Sequence, residues 1–87
     1  MALSLILRRC DEARAVFGVS TATYYEWISK GLMTPGVSIG VRSVAWPDHE
    51  LQAIARARVA GLTDDEIKIL VKDLMAGRAK LAEEVAA

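Results

Sequence analysis

Between Ser20 and Lys30 the chain sets hydroxyls, a phenol and a carboxylate at helical spacing. Thr21, Ala22, Tyr25, Glu26 and Ser29 fall on one side of a helix, and Tyr24, Trp27 and Ile28 on the other. The first set can donate and accept hydrogen bonds and, through Ala22, meet a methyl group. That is the chemistry of recognition. Bond-making chemistry needs a nucleophile beside a base, a metal constellation or a loop that cradles phosphate. The sequence has one cysteine, Cys10, one histidine, His49, and no glycine-rich phosphate motif. The expectation is a binding protein, not an enzyme, with no metal, cofactor or small-molecule ligand.

Local signals position these side chains. Ser20 suits an N-cap, since its hydroxyl can accept from an amide of the first turn. Val19 and Tyr24 stand where a hydrophobic staple would. Gly31 suits the left-handed residue that ends a helix, with apolar Leu32 behind it. Upstream, Asp11–Phe17 reads as a helix with Cys10, Ala13, Val16 and Phe17 inward, stopped by Gly18. Two short helices joined by Gly18-Val19-Ser20 have the dimensions of a helix-turn-helix.

After Leu32 the helical period is lost. Val37-Ser38-Ile39, a tight turn marked by Gly40, and Arg42–Trp46 read as a β-hairpin. So small a hairpin cannot stand alone and must pack on the helices, so it is expected to be a wing with Arg42 near its tip. Leu5–Arg9 reads equally as a short strand or an extended arm. Pro47 suits the first position of a third helix. Asp48 and Glu50 suit its positive end, Leu51, Ile54, Ala55 and Val59 its buried stripe, and Gly61 its stop. Thr63 and Glu66 form a capping box, and Leu62 with Ile67 its staple. Ile67, Leu70, Val71, Leu74 and Met75 then give one apolar face, with Ile69 off it. Gly77 weakens this helix.

The expected fold is mainly α: a small winged helix-turn-helix with a two-stranded hairpin wing and two further helices. It is one domain over residues 1–76, with 77–87 a C-terminal tail or frayed helix. A hydrophobic fraction of 53% argues against disorder. Formal net charge is zero, which tells against bulk, non-specific attraction to nucleic acid. Residues 1–46 hold five basic and three acidic residues, and residues 47–87 hold six and eight, so the slight basic excess lies with the helix-turn-helix. Met1–Leu7 is apolar but too short for a signal peptide or membrane span. With a single cysteine, a reducing cytoplasm is the expected compartment.

The order of these elements resembles a known group. The run Ala13–Leu32, ARAVFGVSTATYYEWISKGL, is similar to the N-terminal module of MerR-type regulators. It is more similar still to AlpA-type phage and prophage regulators, relatives of excisionases. Gly18-Val19-Ser20, Thr23, Tyr25 and Ile28 match the turn and recognition helix of that pattern, and Val37–Trp46 matches its wing. The resemblance implies sequence-specific binding of double-stranded DNA by helix 20–30 and wing 37–46, in a regulator or excisionase-like factor that is bacterial or phage-encoded and nucleoid-associated. On that reading Thr21, Ala22 and Tyr25 face base edges, Thr23, Lys30 and Arg42 lie toward phosphates, and Ser43 is a further DNA-binding candidate. Glu26 departs from the pattern, which often has a basic residue there. It repels phosphate but can accept from a cytosine amino group. A different expectation is a protein-interaction or adaptor module, as in a DNA-packaging subunit, using helix 63–76. The same helix is the candidate for a homodimer or cooperative assembly on DNA.

Overall fold

The computed structural model describes residues 5–86. Met1–Ser4 of the expected apolar N-terminus and Ala87 of the expected tail lie outside the described residues. In chain order the elements are β1 (Leu7–Arg8), α1 (Cys10–Phe17), α2 (Thr21–Ser29), β2 (Val37–Gly40), β3 (Ser43–Pro47), α3 (Asp48–Val59) and α4 (Asp64–Ala86). This is a small, mainly α, winged helix-turn-helix domain.

The capping chemistry written in the sequence sets the helix ends. Ser20 Oγ accepts from the Thr23 amide at 3.2 Å. At the other end of α2, Gly31 is left-handed (φ 78°). Its amide donates to the Ile28 carbonyl at 3.2 Å, and that of Leu32 to Trp27 at 2.8 Å. This double closure satisfies the last carbonyls of the helix. Gly61 ends α3 in the same way, with amides of Gly61 and Leu62 donating to Arg58 and Ala57. The Thr63–Glu66 capping box forms in both directions, at 3.0 and 3.2 Å, and stabilises the start of α4 by about 1 kcal/mol.

The wing differs from its expected form in three ways. Leu5–Arg9 does supply a strand: β1 pairs antiparallel with β3, Leu7 opposite Pro47 and Arg8 opposite Trp46. The sheet therefore has three strands in the order β1-β3-β2, with β3 central. Second, Gly40 is not the turn. It pairs with Ser43, the turn is Val41-Arg42, and the left-handed residue is Arg42 (φ 58°). Third, β2 carries one residue more than β3 between the Ser38–Val44 and Gly40–Ser43 pairs. This bulge leaves Ile39 exposed. Ala45, Trp46 and Pro47 are all buried, as suits a central strand that runs straight into a packed helix.

Trp46 joins the sheet to the helices. It is wholly buried, its indole Nε1 donates to the Thr34 carbonyl at 2.8 Å, and its ring meets that of Tyr24 edge-on at 5.0 Å. Gly36 gives it room, because a Cβ there would lie 3.1 Å from the indole and 3.2 Å from Val44, close enough that a neighbour would have to shift. The core is Ala13, Tyr24, Leu32, Met33, Trp46, Leu51, Ile54, Ala57, Ile67 and Val71. Cys10 and Phe17 pack against its edge, whereas Val16, expected inward, is exposed.

Two expectations for α3 are corrected by the structure. Pro47 is the N-cap of α3, not its first helical residue. The buried stripe of α3 is Glu50, Leu51, Ile54 and Ala57, so Val59 is almost fully exposed. Leu51 and Ile54 are buried as expected, but Glu50 and Ala57 complete the stripe in place of Ala55 and Val59, because it begins with a carboxylate. The Glu50 side chain is inaccessible and receives two bonds from Arg78, Nε to Oε2 at 2.8 Å and Nη2 to Oε1 at 2.7 Å. Arg78 also donates to the Pro35 carbonyl at 2.8 Å. This pairing fixes α4 just past Gly77, where a tail or frayed helix was expected to begin. The helix runs on to Ala86 without interruption.

Arg78→Met leaves the Glu50 carboxylate buried and unpaired, and should cost about 3–5 kcal/mol in urea unfolding. Adding Glu50→Gln to that variant should restore part of the loss.

Candidate nucleic-acid interface

The outward face of α2 is built by the inward one. Tyr24 is inaccessible and holds the helix against Trp46. Trp27 lies edge-on to Phe17 at 5.5 Å, and the guanidinium carbon of Arg58 sits 4.4 Å from the Trp27 ring centroid. That cation–π contact from α3 links residues 31 positions apart, and no local pattern announces it. With this side anchored, Thr21, Ala22, Tyr25, Glu26, Ser29 and Lys30 are exposed.

These residues are not equivalent. Thr21 and Ala22 are exposed in the first turn. Tyr25 is about half exposed, but its ring rests near those of Tyr24 and Trp46 at 6.1 and 6.3 Å. Partial burial and the neighbouring Cys10 thiol raise the pKa of its phenol. It therefore stands at the junction of α2 with α1 and the sheet. Burial raises that of Tyr24 much further. Thr23 is half-buried, and its hydroxyl accepts from Ser20 Oγ at 3.1 Å. Its side chain belongs to the cap as well as to the surface.

Glu26 and Lys30, given opposite roles toward DNA by their charges, are partners in the structure. Lys30 Nζ lies 2.6 Å from Glu26 Oε1, one helical turn away, with both side chains more than half exposed. Hydrogen bonding and charge from Lys30 pull the Glu26 carboxyl below its ordinary 4.5, and Glu26 raises Lys30 in return. The middle of the face thus carries two opposite charges side by side, with little net charge.

Arg42 occupies the hairpin tip and is exposed. Its left-handed backbone is uncommon for a residue with a Cβ. Ser43 follows, half-buried, with its hydroxyl 3.5 Å from the Val41 carbonyl. The structure thus brings Thr21, Ala22, Tyr25, Glu26 and Lys30 onto one helix face. Arg42 and Ser43 lie on the hairpin whose central strand is locked to that helix by Trp46. Among the described residues, no group of three or more His, Cys, Asp and Glu side chains could hold a metal ion, and no helix is long and apolar enough to cross a membrane.

Comparison with known proteins adds a family. The family described as "Prophage CP4-57 regulatory protein (AlpA)" matches residues 6–59, from the start of the sheet to the end of α3. A protein of Enterobacteria phage P4, "Uncharacterized protein ORF88", is 42% identical over 53 residues. That match takes in 61% of this chain and 60% of the phage protein, so the chain spans under two thirds of that relative's length. No solved structure matches.

Two outcomes follow from this geometry. The Glu26 carboxyl, followed by NMR titration, should have its midpoint below 4.5 and return toward 4.5 in Lys30→Met. The pair's contribution to stability is present above the ordinary carboxylate range and fades as pH falls through the depressed midpoint. Arg42→Gly should raise stability by about 0.5–1 kcal/mol in urea unfolding, because glycine adopts the left-handed turn without a Cβ clash.

Proposed function

The chain belongs to the AlpA family of prophage regulatory proteins, and from that premise we propose that it binds double-stranded DNA sequence-specifically, with α2 in the major groove and the β2–β3 wing on the backbone beside it. The observation that carries the reading is the exposed Thr21-Ala22-Tyr25 face lying on the same rigid unit as the Arg42 hairpin. Small hydroxyl and methyl groups at the start of a helix suit close approach to base edges. A cation on a projecting turn suits a phosphate or a narrow minor groove.

Thr21, Ala22 and Tyr25 read bases in this account. Thr23, Lys30, Arg42 and Ser43 position the duplex. Glu26 holds Lys30 and is available to a cytosine amino group, so its negative charge does not face phosphate alone. The low net charge fits a protein that finds its site through shape and polar contacts more than through bulk attraction. Recognition by so small a domain favours pairing of two copies on DNA, which agrees with a regulatory or excisionase-like role at a repeated site.

Fluorescence anisotropy with duplexes recovered from genome fragments tests this. With three or four phosphate contacts, log K should fall by roughly 3 per decade of salt. Arg42→Ala should weaken binding to all sequences alike and lower that slope by about 1. A wild-type slope near zero, or a tight dimer indifferent to DNA at low salt, would favour the interaction-module reading instead.

A further inference from the structure

The outward face of α2 does not stop at Lys30. Ser29, Lys30 and Gly31 form one wall of an open cleft whose other wall is Lys68, Val71 and Lys72 of α4, with a volume of about 370 Å³. The walls are close: a Cβ on Gly31 would lie 3.8 Å from Lys68 Cγ. Thus the stem of Lys68 runs along the end of the recognition helix.

Two of the three α4 lysines, Lys68 and Lys72, line this cleft without the carboxylate partner that five other cations have. Arg8, Arg14, Lys30, Arg58 and Arg78 each lie within 4.0 Å of a carboxylate. Among the described residues, Lys68 and Lys72 form no such pair. They stand one turn apart on one side of α4, and like charges at that spacing destabilise a helix. Nor are they needed to cap α2, whose last carbonyls already accept from the Gly31 and Leu32 amides. A like-charged pair beside an exposed polar helix face, with no internal partner, fits an external anion.

We propose that Lys68 and Lys72 bind phosphates of the DNA backbone next to the C-terminal end of α2, making α4 a third DNA-contacting element beside the recognition helix and the wing. This rests on the duplex reading above. It adds contacts from a helix that lies wholly outside the family-matched residues 6–59. It also supplies the backbone charge that the Glu26–Lys30 pair withholds from α2. Lys30 then acts mainly through its partner, and the further positive charge of the cleft comes from Lys68 and Lys72 of α4.

The test is the salt dependence of duplex binding by the full chain, wild type against Lys68→Gln/Lys72→Gln, with Lys68→Arg/Lys72→Arg and Lys80→Gln alongside. Unfolding midpoints of all four are compared first, and all four should be fully folded, with the double Gln variant at or slightly above wild type. The double Gln variant should lose about 2 from the slope of log K against log salt, and on the order of 10- to 100-fold in affinity at low salt. The double Arg variant should keep both, because charge is conserved. Lys80→Gln removes a charge two turns further along α4 and should match wild type. If wild type binds with a marked slope and the double Gln variant equals it, the duplex reading stands and the α4 contact is overturned. If Lys80→Gln costs as much per charge as the pair, the effect is general charge and not this cleft, which also overturns it. If wild type binds no duplex at low salt, both readings fall together.

Discussion

The burial of one indole governs this molecule. Trp46 sits on the central strand of the sheet, hydrogen-bonds the segment that leaves α2, and meets the Tyr24 ring of that helix. Large aromatic contacts of this kind contribute about 0.5–1.5 kcal/mol beyond the area they bury. Their geometry also sets orientation. Because Gly36 admits the indole without a Cβ in the way, the connecting strap lies flat over it, and Met33 and Thr34 are buried in turn. The wing cannot pivot away from α2 without exposing Trp46 and breaking its hydrogen bond. A two-stranded hairpin that would be unstable alone thereby becomes a rigid projection.

A second tie, from Arg78 to Glu50 and the Pro35 carbonyl, holds the same strap from the other side. It brings α4 into the unit that carries the proposed interface. The electrostatics then divide by location. At the core, the charge is paired and serves architecture. On the α2 face, Glu26 and Lys30 cancel. Exposed cations without carboxylate partners include Arg42 on the hairpin tip and Lys68 and Lys72 on α4, with Arg9 and Arg56 elsewhere. Such a surface would attract a duplex at its edges and read it with uncharged groups at its centre.

Much of this was legible because it is local. Ser20, Gly31, Gly61, Thr63 and Glu66 act within one turn of themselves, so their chemistry can be seen in the sequence, and the helices end where these residues say. The apolar face of α4 followed from its period. What failed was long-range. Glu50 reads as a first-turn acid, and its partner is 28 residues away, so its burial and the true phase of α3 were hidden. Gly77 reads as a weak point because Arg78 looks like any surface cation until Glu50 is placed beside it. The hairpin was legible, but its turn was not. Gly40 is the residue type a left-handed position prefers, yet the pairing of Gly40 with Ser43 puts Arg42 there instead. On the candidate face, Thr21, Ala22 and Tyr25 could be grouped by helical spacing. The neutralisation of Glu26 by Lys30 was also within reach, at a four-residue spacing. The approach of Lys68 to Gly31 depends on tertiary packing alone.

The central claim is that α2 and the Arg42 hairpin form one duplex-binding surface. The most direct measurement is an amide NMR titration of the protein with a duplex that it selects from genome fragments. The account predicts the largest shifts at Thr21–Lys30 and Val41–Ser43, appearing together at one stoichiometry. Shifts confined to the exposed side of α4 around Ile69, with the α2 and hairpin amides unmoved, would contradict it.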